Sequence, residues 1–431
     1  ILPNGEHRDF TGGWHDGGDY NKWSHYGYYG IIALLELAGL EKEFQWTDPS
    51  PLPSPVDEAD WECKFILKIL TPEGHLMSLF APGPNPWVCL GAPEREFIRM
   101  ARVEYGRSPV VTAWTAAALA RMAIYTEKEE YRDKYTNAAI TLYNIASTRK
   151  LDSPDYSVYK NDYLGIQSAL LMTDIAFIDL GLEREKYQND ALMRVERILV
   201  QQDKQGFFYT NMERTAKQVL SSYDMIPLYH FLQIPAGHSW KEKITGVFVR
   251  WAKFIEPTLK GKPFGQVGSF DFAEGKTYLG TGSISTSLAG WGLATTALLT
   301  GESYYLEQAQ QQMSWILGCN PTALSMMTGV GNNPKCFHHR YAAIPPGGKE
   351  VLPGGILNGI RFARKGKPFQ IGDLNTQNFV IGDNLPTDYP VLDDDVFGWT
   401  WGYGTNEYWT PNSGYFILMA CQLERAMKKL N

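Results

Sequence analysis

The sequence is poor in cysteine and has no long apolar run. Its 431 residues include 5 cysteines, which form no CxxC pair and no disulfide-framework spacing. Cysteine usage therefore does not indicate the compartment. The longest notable apolar run, from 31 to 40, contains Glu36 and falls short of the roughly 18 residues that span a bilayer. We therefore expect no membrane insertion.

Signs of nucleic-acid and nucleotide binding are also missing. The net charge is −7 at pH 7, and the one basic cluster, at 361–367, is typical of a solvated loop. The sequence contains no G-x-S-x-G elbow, no H-E-x-x-H pair and no P-loop. The glycines at 280–282 lack the third glycine and the βαβ context of a dinucleotide site. These absences argue against serine hydrolases, zincins, nucleotide-binding enzymes and nucleic-acid partners.

Helical periodicity is what the chain does have. Eleven apolar-periodic segments predict helices, and no regular alternation between hairpin turns predicts strands. Three long loops rich in Gly, Pro and Asn, at 73–108, 257–283 and 319–411, are of a kind that is usually functional. The helices come in pairs without a linker, so we expect one all-α domain over 1–431, a ring of helical hairpins. The predicted helices are 20–39, 57–71, 110–126, 129–148, 162–181, 184–202, 215–233, 239–256, 284–299, 302–317 and 412–429.

Two aspartates three residues apart lie on a glycine-rich loop, within the sequence GGWHDGGDYNKW at 12–23. Asp16 and Asp19, held close on such a loop, can share one water, which one of them deprotonates while the other orients it. The flanking aromatic residues suit the face of a sugar. The alternative is a helix start in which Asp19 is only the N-cap.

A second group of polar residues occupies the sequence CFHHR at 336–340. His338 and Arg340 can hydrogen-bond sugar hydroxyls or hold a carboxylate. One alternative is a loop whose side chains make structural hydrogen bonds. Another is a metal site of Cys336, His338 and His339, although adjacent ligands without a distant second pair suit a tetrahedral site poorly.

Glu407 lies among aromatic residues in the sequence WTWGYGTNEYW at 399–409, shortly before the last predicted helix. A carboxyl in poorly hydrated surroundings has a raised pKa, so it stays protonated as a general acid must. The alternative is a surface glutamate near a helix start. The acidic run at 393–395 could bind a structural Ca²⁺ or simply be solvated.

In their order along the chain, these motifs resemble those of glycoside hydrolase family 9, whose members are mainly cellulases. The family has an early GGW-x-D-A-G-D loop, then a helix end with LLG-x-NP, a TG-x-G-x-NP loop with H-x-R, and finally N-E followed by N-A-G. The matching segments here are GGWHDGGD at 12–19, LGCNP at 317–321, TGVGNNP at 328–334, HHR at 338–340, NE at 406–407 and NSG at 412–414.

The resemblance implies an (α/α)6 barrel with the cleft at the end that bears the long loops, and inverting hydrolysis of β-1,4-glucan. It implies that Asp19 is the general base, that Asp16 helps to hold the water, and that Glu407 is the general acid. It also implies that His338 and Arg340 bind the sugar at the cleavage point. Inversion requires room for water, so the base and acid carboxyls should lie roughly 6.5–9.5 Å apart.

Besides Gly17 in place of the family's alanine, the chain departs from the family pattern in three respects. We expect the family helix before the aspartate loop to be missing here. The spacing after Glu407 is one residue short, so Trp409 takes the place of the family's aromatic residue, and we expect Trp409 and Tyr403 to bind sugar. The zinc site of some members is not evident, and no metal or cofactor is expected for the chemistry.

The expected partner is a β-glucan polymer or oligosaccharide. We expect a monomer that is secreted or periplasmic, because an insoluble polymer cannot enter a cell. One alternative keeps the chemistry but takes xyloglucan, mixed-linkage glucan, cello-oligosaccharide or chitosan, with endo or exo cutting. Two others are an inactive sugar-binding protein and a polysaccharide lyase, which would need a Tyr, His or Arg base.

Overall fold

Helices make up most of the described part of the protein. The computed structural model describes residues 9–17, 22–46, 52–71, 76–81, 102–106, 108–148, 161–218, 222–272, 276–278, 282–334, 353–362, 370–371, 379–380, 390–391 and 403–430. The helices are α1 (Ser24–Phe44), α2 (Pro55–Ile69), α3 (Pro109–Tyr125), α4 (Glu129–Ser147), α5 (Tyr163–Asp179), α6 (Arg184–Gln201), α7 (Ser222–Phe231), α8 (Lys241–Leu259), α9 (Gly282–Thr300), α10 (Ser303–Ile316), the short α11 (Tyr403–Asn406) and α12 (Thr410–Leu430).

Six of the helices form a closed inner ring, in the order α1, α3, α5, α7, α9 and α12, with α12 packed against α1. α3, α5 and α9 bury nearly all their residues, and such helices are apolar on every side. α2, α4, α6, α8 and α10 keep polar or charged residues on one face and form an outer layer. The predicted (α/α)6 barrel is confirmed, with five outer helices in the portion of the chain that the structure describes.

The ring closes through glycines where the first and last inner helices meet. A Cβ on Gly414 of α12 would lie 3.1 Å from the carbonyl oxygen of Tyr29 on α1. A Cβ on Gly30, one residue further along α1, would lie 2.5 Å from the indole of Trp14. Backbone therefore packs against backbone here, which places the N-terminal loop beside the segment that begins α12.

The predicted helix bounds hold within a few residues, with one clear exception. The helix predicted over 215–233 begins only at Ser222, because residues 217–218 pair antiparallel with 208–209. Those two residues lie at the end of a hairpin loop, which the apolar spacing of the segment did not distinguish from a helical turn.

The sequence predicted no regular strands, whereas the structure has short antiparallel strand pairs in the segments between helices. Most are too brief to show alternation, and β2 and β3 shift register at a bulge between Met77 and Leu79. The strands are β1 (Lys22–Trp23), β2 (Leu76–Ala81), β3 (Arg102–Gly106), β4 (Phe208–Tyr209), β5 (Lys217–Gln218), β6 (Ser269–Asp271), β7 (Lys276–Tyr278), β8 (Arg361–Phe362), β9 (Gln370–Ile371), β10 (Phe379–Val380) and β11 (Pro390–Val391).

A buried charge cluster joins the carboxyl ends of four inner helices. Glu36 of α1 lies 2.6 Å from Arg121, 2.9 Å from His230 and 3.3 Å from Arg425. Burial alone would raise the pKa of Glu36, but His230, Arg121 and Arg425 outweigh it and hold the pKa well below its usual range. The apolar run noted in the sequence therefore carries a charge that is neutralised across the ring.

Candidate active site

The loop that carries Asp16 needs glycine at two positions. Gly12 and Gly13 have φ of 88° and 72°, in the left-handed region that favours glycine. A Cβ on Gly13 would overlap the ring of Phe65, so only glycine fits against α2. Lys22 donates hydrogen bonds from its Nζ to the carbonyl oxygens of Phe10 and Gly12. Lys22, which follows Asp16 in the sequence, therefore holds the part of the loop that precedes Asp16.

The segment that carries Glu407 lies beside residues 356–359. The backbone N–H of Asn358 donates to the carbonyl oxygen of Glu407 at 2.8 Å, and that of Gly359 donates to Thr405 at 2.7 Å. Thr405 is fully buried, whereas Glu407 is half-buried. The backbone of this segment is therefore fixed while the glutamate side chain stays accessible.

The two segments meet directly, although nearly the whole chain separates them. Gly17 forms a bridge with Trp409, and the N–H of Thr410 donates to the carbonyl oxygen of Asp16 at 2.8 Å. The hydroxyl of Thr410 donates to the carbonyl oxygen of His15, also at 2.8 Å. A Cβ on Gly17 would lie 3.0 Å from Oε1 of Glu407. The Glu407 carboxylate thus lies against the residue that follows Asp16.

The structure brings together three of the predicted site residues: Asp16, Glu407 and Trp409. Trp409 is half-buried and meets the ring of Tyr26 edge to face, with centroids 4.6 Å apart. Tyr403 lies in α11, one turn before Glu407. The predicted base and sugar-binding residues Asp19, His338 and Arg340 lie outside the described residues, as do Cys336 and the acidic run at 393–395.

An aromatic cluster at the amino ends of the inner helices was not singled out in the sequence. Tyr29 of α1 lies 5.0 Å from both Tyr223 of α7 and Tyr415 of α12, between ring centroids. Trp114 of α3 lies 4.7 Å from Tyr223. Burial raises the pKa of Tyr223 and Tyr415 well above the usual value. The cluster is buried between the inner helices, and it includes Trp114, which the periodicity of α3 assigns to the core.

Two further acids lie at the amino ends of α5 and α7. Asp162 is the N-cap residue of α5, and Asp224 lies in the first turn of α7. Burial, and then the nearby charge of Asp162, raise the pKa of Asp224 to about 7. Sequence reasoning missed this pair because 62 positions separate the two residues, as the numbering shows.

Two cavities lie at opposite ends of α12. One of about 370 Å³ touches the candidate site and is lined by Trp14, His15, Asp16, Gly17, Gly30, Leu34, Glu58, Gly355, Tyr408, Trp409, Thr410, Ser413, Gly414 and Ile417. The larger one, of about 670 Å³, includes Arg425, Lys428 and Lys429 near the end of α12 and none of the predicted site residues. Of these two cavities, the smaller one therefore adjoins Asp16 and Trp409, and the larger one lies at the other end of α12.

Metal clusters and membrane-crossing helices are absent from the described residues. Within these ranges, no group of three His, Cys, Asp or Glu side chains is placed to hold a metal ion. No helix in the same ranges combines the length and hydropathy of a membrane crossing. The described cysteines, Cys63, Cys319 and Cys421, form no disulfide with one another.

In the described residues, Asp16, Glu407 and Trp409 therefore lie together at the end of the helical barrel where α12 begins. The family model of glycosyl hydrolase family 9 matches residues 2–390. The chain therefore belongs to glycosyl hydrolase family 9, and the predicted family is confirmed. The matched region includes the aspartate loop and the His338 motif, and it ends before Glu407.

Several characterised relatives are similar in sequence. Endoglucanase B of Cellulomonas fimi is 24% identical over 408 residues, which cover 89% of this chain and 37% of that protein. Endoglucanase A of Bacillus pumilus is 25% identical over 386 residues, covering 81% of this chain and 54% of the relative. This chain thus spans about a third to a half of the length of these two relatives.

Solved structures share the fold. The cellulase CEL9M of C. cellulolyticum superposes with a TM-score of 0.65 and 18% identity, over 97% of this chain and 88% of that one. An endoglucanase from the termite Nasutitermes takasagoensis gives a TM-score of 0.66 and 18% identity, over 98% and 89%. At this level of identity the likeness shows the barrel and no more.

Proposed function

We propose that this protein is an inverting glycoside hydrolase that cleaves β-1,4-glucan internally. Asp19 acts as the general base, Asp16 helps to hold the attacking water, and Glu407 protonates the leaving oxygen. The observation that carries the proposal is the contact of the Glu407 carboxylate with the backbone at Gly17, next to Asp16. Two carboxyl-bearing segments from opposite ends of the chain meet where a glycosidic bond could lie between them.

The relatives and the surroundings support a glucan substrate. The relatives carry the names endoglucanase and cellulose 1,4-beta-cellobiosidase, and one structure is of the cellulase CEL9M in complex with cellobiose. Trp409 offers an aromatic face beside Glu407, and aromatic faces suit sugar rings. We propose that Trp409, Tyr403, His338 and Arg340 bind the substrate, that the protein acts as a monomer, and that it is exported.

The acid role of Glu407 has a specific test. Glu407→Gln should lower the rate on cellulose and on carboxymethylcellulose by several orders of magnitude. It should keep a substantial rate on cellobiosyl fluoride, whose leaving group needs no proton. Asp19→Asn should be slow on both substrates, because water must still be deprotonated. Glu302→Gln, at the exposed residue before α10, is the control and should behave as wild type.

Stereochemistry and substrate range complete the test. Proton NMR of the first product should show the α-anomer, since a single displacement inverts a β-linkage. A first product in the β-form would contradict the mechanism. So would an equal loss of rate on carboxymethylcellulose and on cellobiosyl fluoride in Glu407→Gln. A panel of carboxymethylcellulose, xyloglucan, mixed-linkage glucan and chitosan identifies the polymer. Faster turnover of any of the last three than of cellulose derivatives would refute the proposed substrate.

A further inference from the structure

Two carboxylates one turn apart on α2 hold the same tryptophan at two places. The backbone N–H of Trp14 donates to Oε2 of Glu62 at 2.6 Å. The indole Nε1–H of Trp14 donates to Oε1 of Glu58 at 2.7 Å. Residues four apart lie on one face of a helix, so α2 offers both acceptors together. The main chain and the side chain of Trp14 are therefore each anchored.

Glu62 is closely surrounded at this contact. Its side chain is 3% exposed, and a Cβ on Gly27 of α1 would overlap its Oε1. A buried carboxyl is costly unless it is hydrogen-bonded or paired, and the Trp14 N–H and the ammonium of Lys22 provide that compensation. Glu62 is thus wedged between α1 and the loop, and its position determines where Trp14 lies.

The same loop is held on its other side by the beginning of α12. Trp14 precedes Asp16 by two residues, and Asp16 and His15 accept hydrogen bonds from Thr410. The indole of Trp14 packs on Gly30, beside the glycine contact that closes the ring. The aspartate loop is therefore held by α2 at Trp14 and by Thr410 of α12 at His15 and Asp16. Only a few rotatable bonds separate these two points of attachment.

We propose that the two α2 carboxyls are positioning residues that hold Trp14 and, through it, set the place of Asp16 opposite Glu407. This inference rests on the proposed function. Neither carboxyl is asked to contact the substrate. A displacement of about 1 Å between reacting groups costs about 10²-fold in rate, so a loop tethered two residues from Asp16 controls catalysis through geometry.

A series at Glu62 separates positioning from folding. Glu62→Gln keeps an acceptor for the Trp14 N–H, and kcat should stay close to wild type. Glu62→Ala removes the acceptor, and kcat should fall about 10²-fold with KM nearly unchanged. Asp60→Ala is the control on the same helix, because Asp60 is 7% exposed and accepts from Tyr135 of α4 at 2.5 Å. It should lower the unfolding midpoint while kcat per folded molecule is unchanged.

The Glu58 contact is tested by a double-mutant cycle. Glu58→Ala and Trp14→Phe each remove one partner of the indole hydrogen bond, and the double variant should lose no more kcat than the larger single effect. Additive losses would show that the two side chains act separately and would overturn this half of the proposal.

Hydrogen exchange provides a readout that does not depend on activity. In Glu62→Ala the peptide spanning 9–17 should exchange faster than in wild type, and in Asp60→Ala it should not. Equal exchange in the two variants, or a wild-type kcat in Glu62→Ala, would overturn the inference. The proposed function would still stand in that case, provided that the wild-type protein cleaves glucan. Absence of activity on every glycan would end the proposed function, and the exchange measurement would still decide whether α2 positions the loop.

Discussion

Adding one methyl group at Gly17 tests whether the Glu407 carboxylate works where the structure places it. The backbone of Gly17 has a conformation that alanine can adopt, so the change acts through space alone. The new Cβ would lie 3.0 Å from Oε1 of Glu407, against about 3.4 Å for an ordinary van der Waals contact. The carboxylate must therefore move by about 0.4 Å, the difference between these two distances.

The size of the expected effect follows from that displacement. If about 1 Å costs about 10²-fold, then about 0.4 Å costs about sixfold in kcat, or about 1.1 kcal/mol in the activation free energy. Initial rates on carboxymethylcellulose, with kcat and KM determined separately, measure the effect. Gly39→Ala is a matched control, since its Cβ would also lie 3.0 Å from a side-chain oxygen, the hydroxyl of Tyr125. Gly39 is near the carboxyl end of α1, away from the candidate site. It should leave kcat unchanged.

A second background makes this prediction specific to the carboxylate. Glu407→Asp withdraws the carboxyl from Gly17 by one methylene, so adding Gly17→Ala should cause a smaller further loss than it does in the wild type. Wild-type kcat in Gly17→Ala, or an equal further loss in the Glu407→Asp background, would refute the reasoning that the methyl acts by displacing Glu407.

Three further predictions concern the frame around the site. Burial raises the pKa of Glu62 to about 7, so the folded protein holds this proton more tightly than the unfolded chain, and wild type loses stability as the pH rises from about 4.5 through 7. Glu62→Gln lacks this ionisation, so the urea midpoint of the variant should rise relative to that of the wild type between pH 5 and pH 8. If the difference between the two midpoints were the same at both pH values, the assignment would be contradicted. Arg121→Met leaves Glu36 buried with fewer partners and should cost about 3–5 kcal/mol in urea unfolding, whereas a loss below about 1 kcal/mol would mean that the cluster is hydrated. Gly414→Ala must push the α1 and α12 backbones apart and should cost about 1–3 kcal/mol, which a calorimetric scan would show as a lower melting temperature.

Periodicity and motif order were sufficient to predict the barrel and to predict that the segments of Asp16 and Glu407 lie together. The inner helices α3, α5 and α9 are apolar on nearly every side and the outer ones on one face, and that difference can be read from the sequence. The motifs at Asp16 and Glu407 predicted that these residues share one site. They are adjacent in the fold because α1 and α12 close the ring.

What the sequence could not show are contacts made across the barrel by side chains without a local pattern. The hydrogen bond from Trp14 to Glu62 joins residues 48 positions apart, and nothing in the spacing along α2 marks Glu62 as an anchor. Glu36 looked like a charge that interrupts an apolar run, because its partners come from three other helices. Most of the strands were missed for a related reason: strands of two or three residues depend on the segments they pair with and hardly at all on their own composition.

The hydrogen bond between the Thr410 hydroxyl and the His15 carbonyl joins residues 395 positions apart. Closing so long a loop costs about 5 kcal/mol of chain entropy before any contact offsets it. During synthesis α1 leaves the ribosome long before α12, so the aspartate loop lacks its contact with Thr410 until α12 has also been synthesised. Catalytic competence should therefore be among the last properties that a folding molecule acquires, well after helical content and compactness.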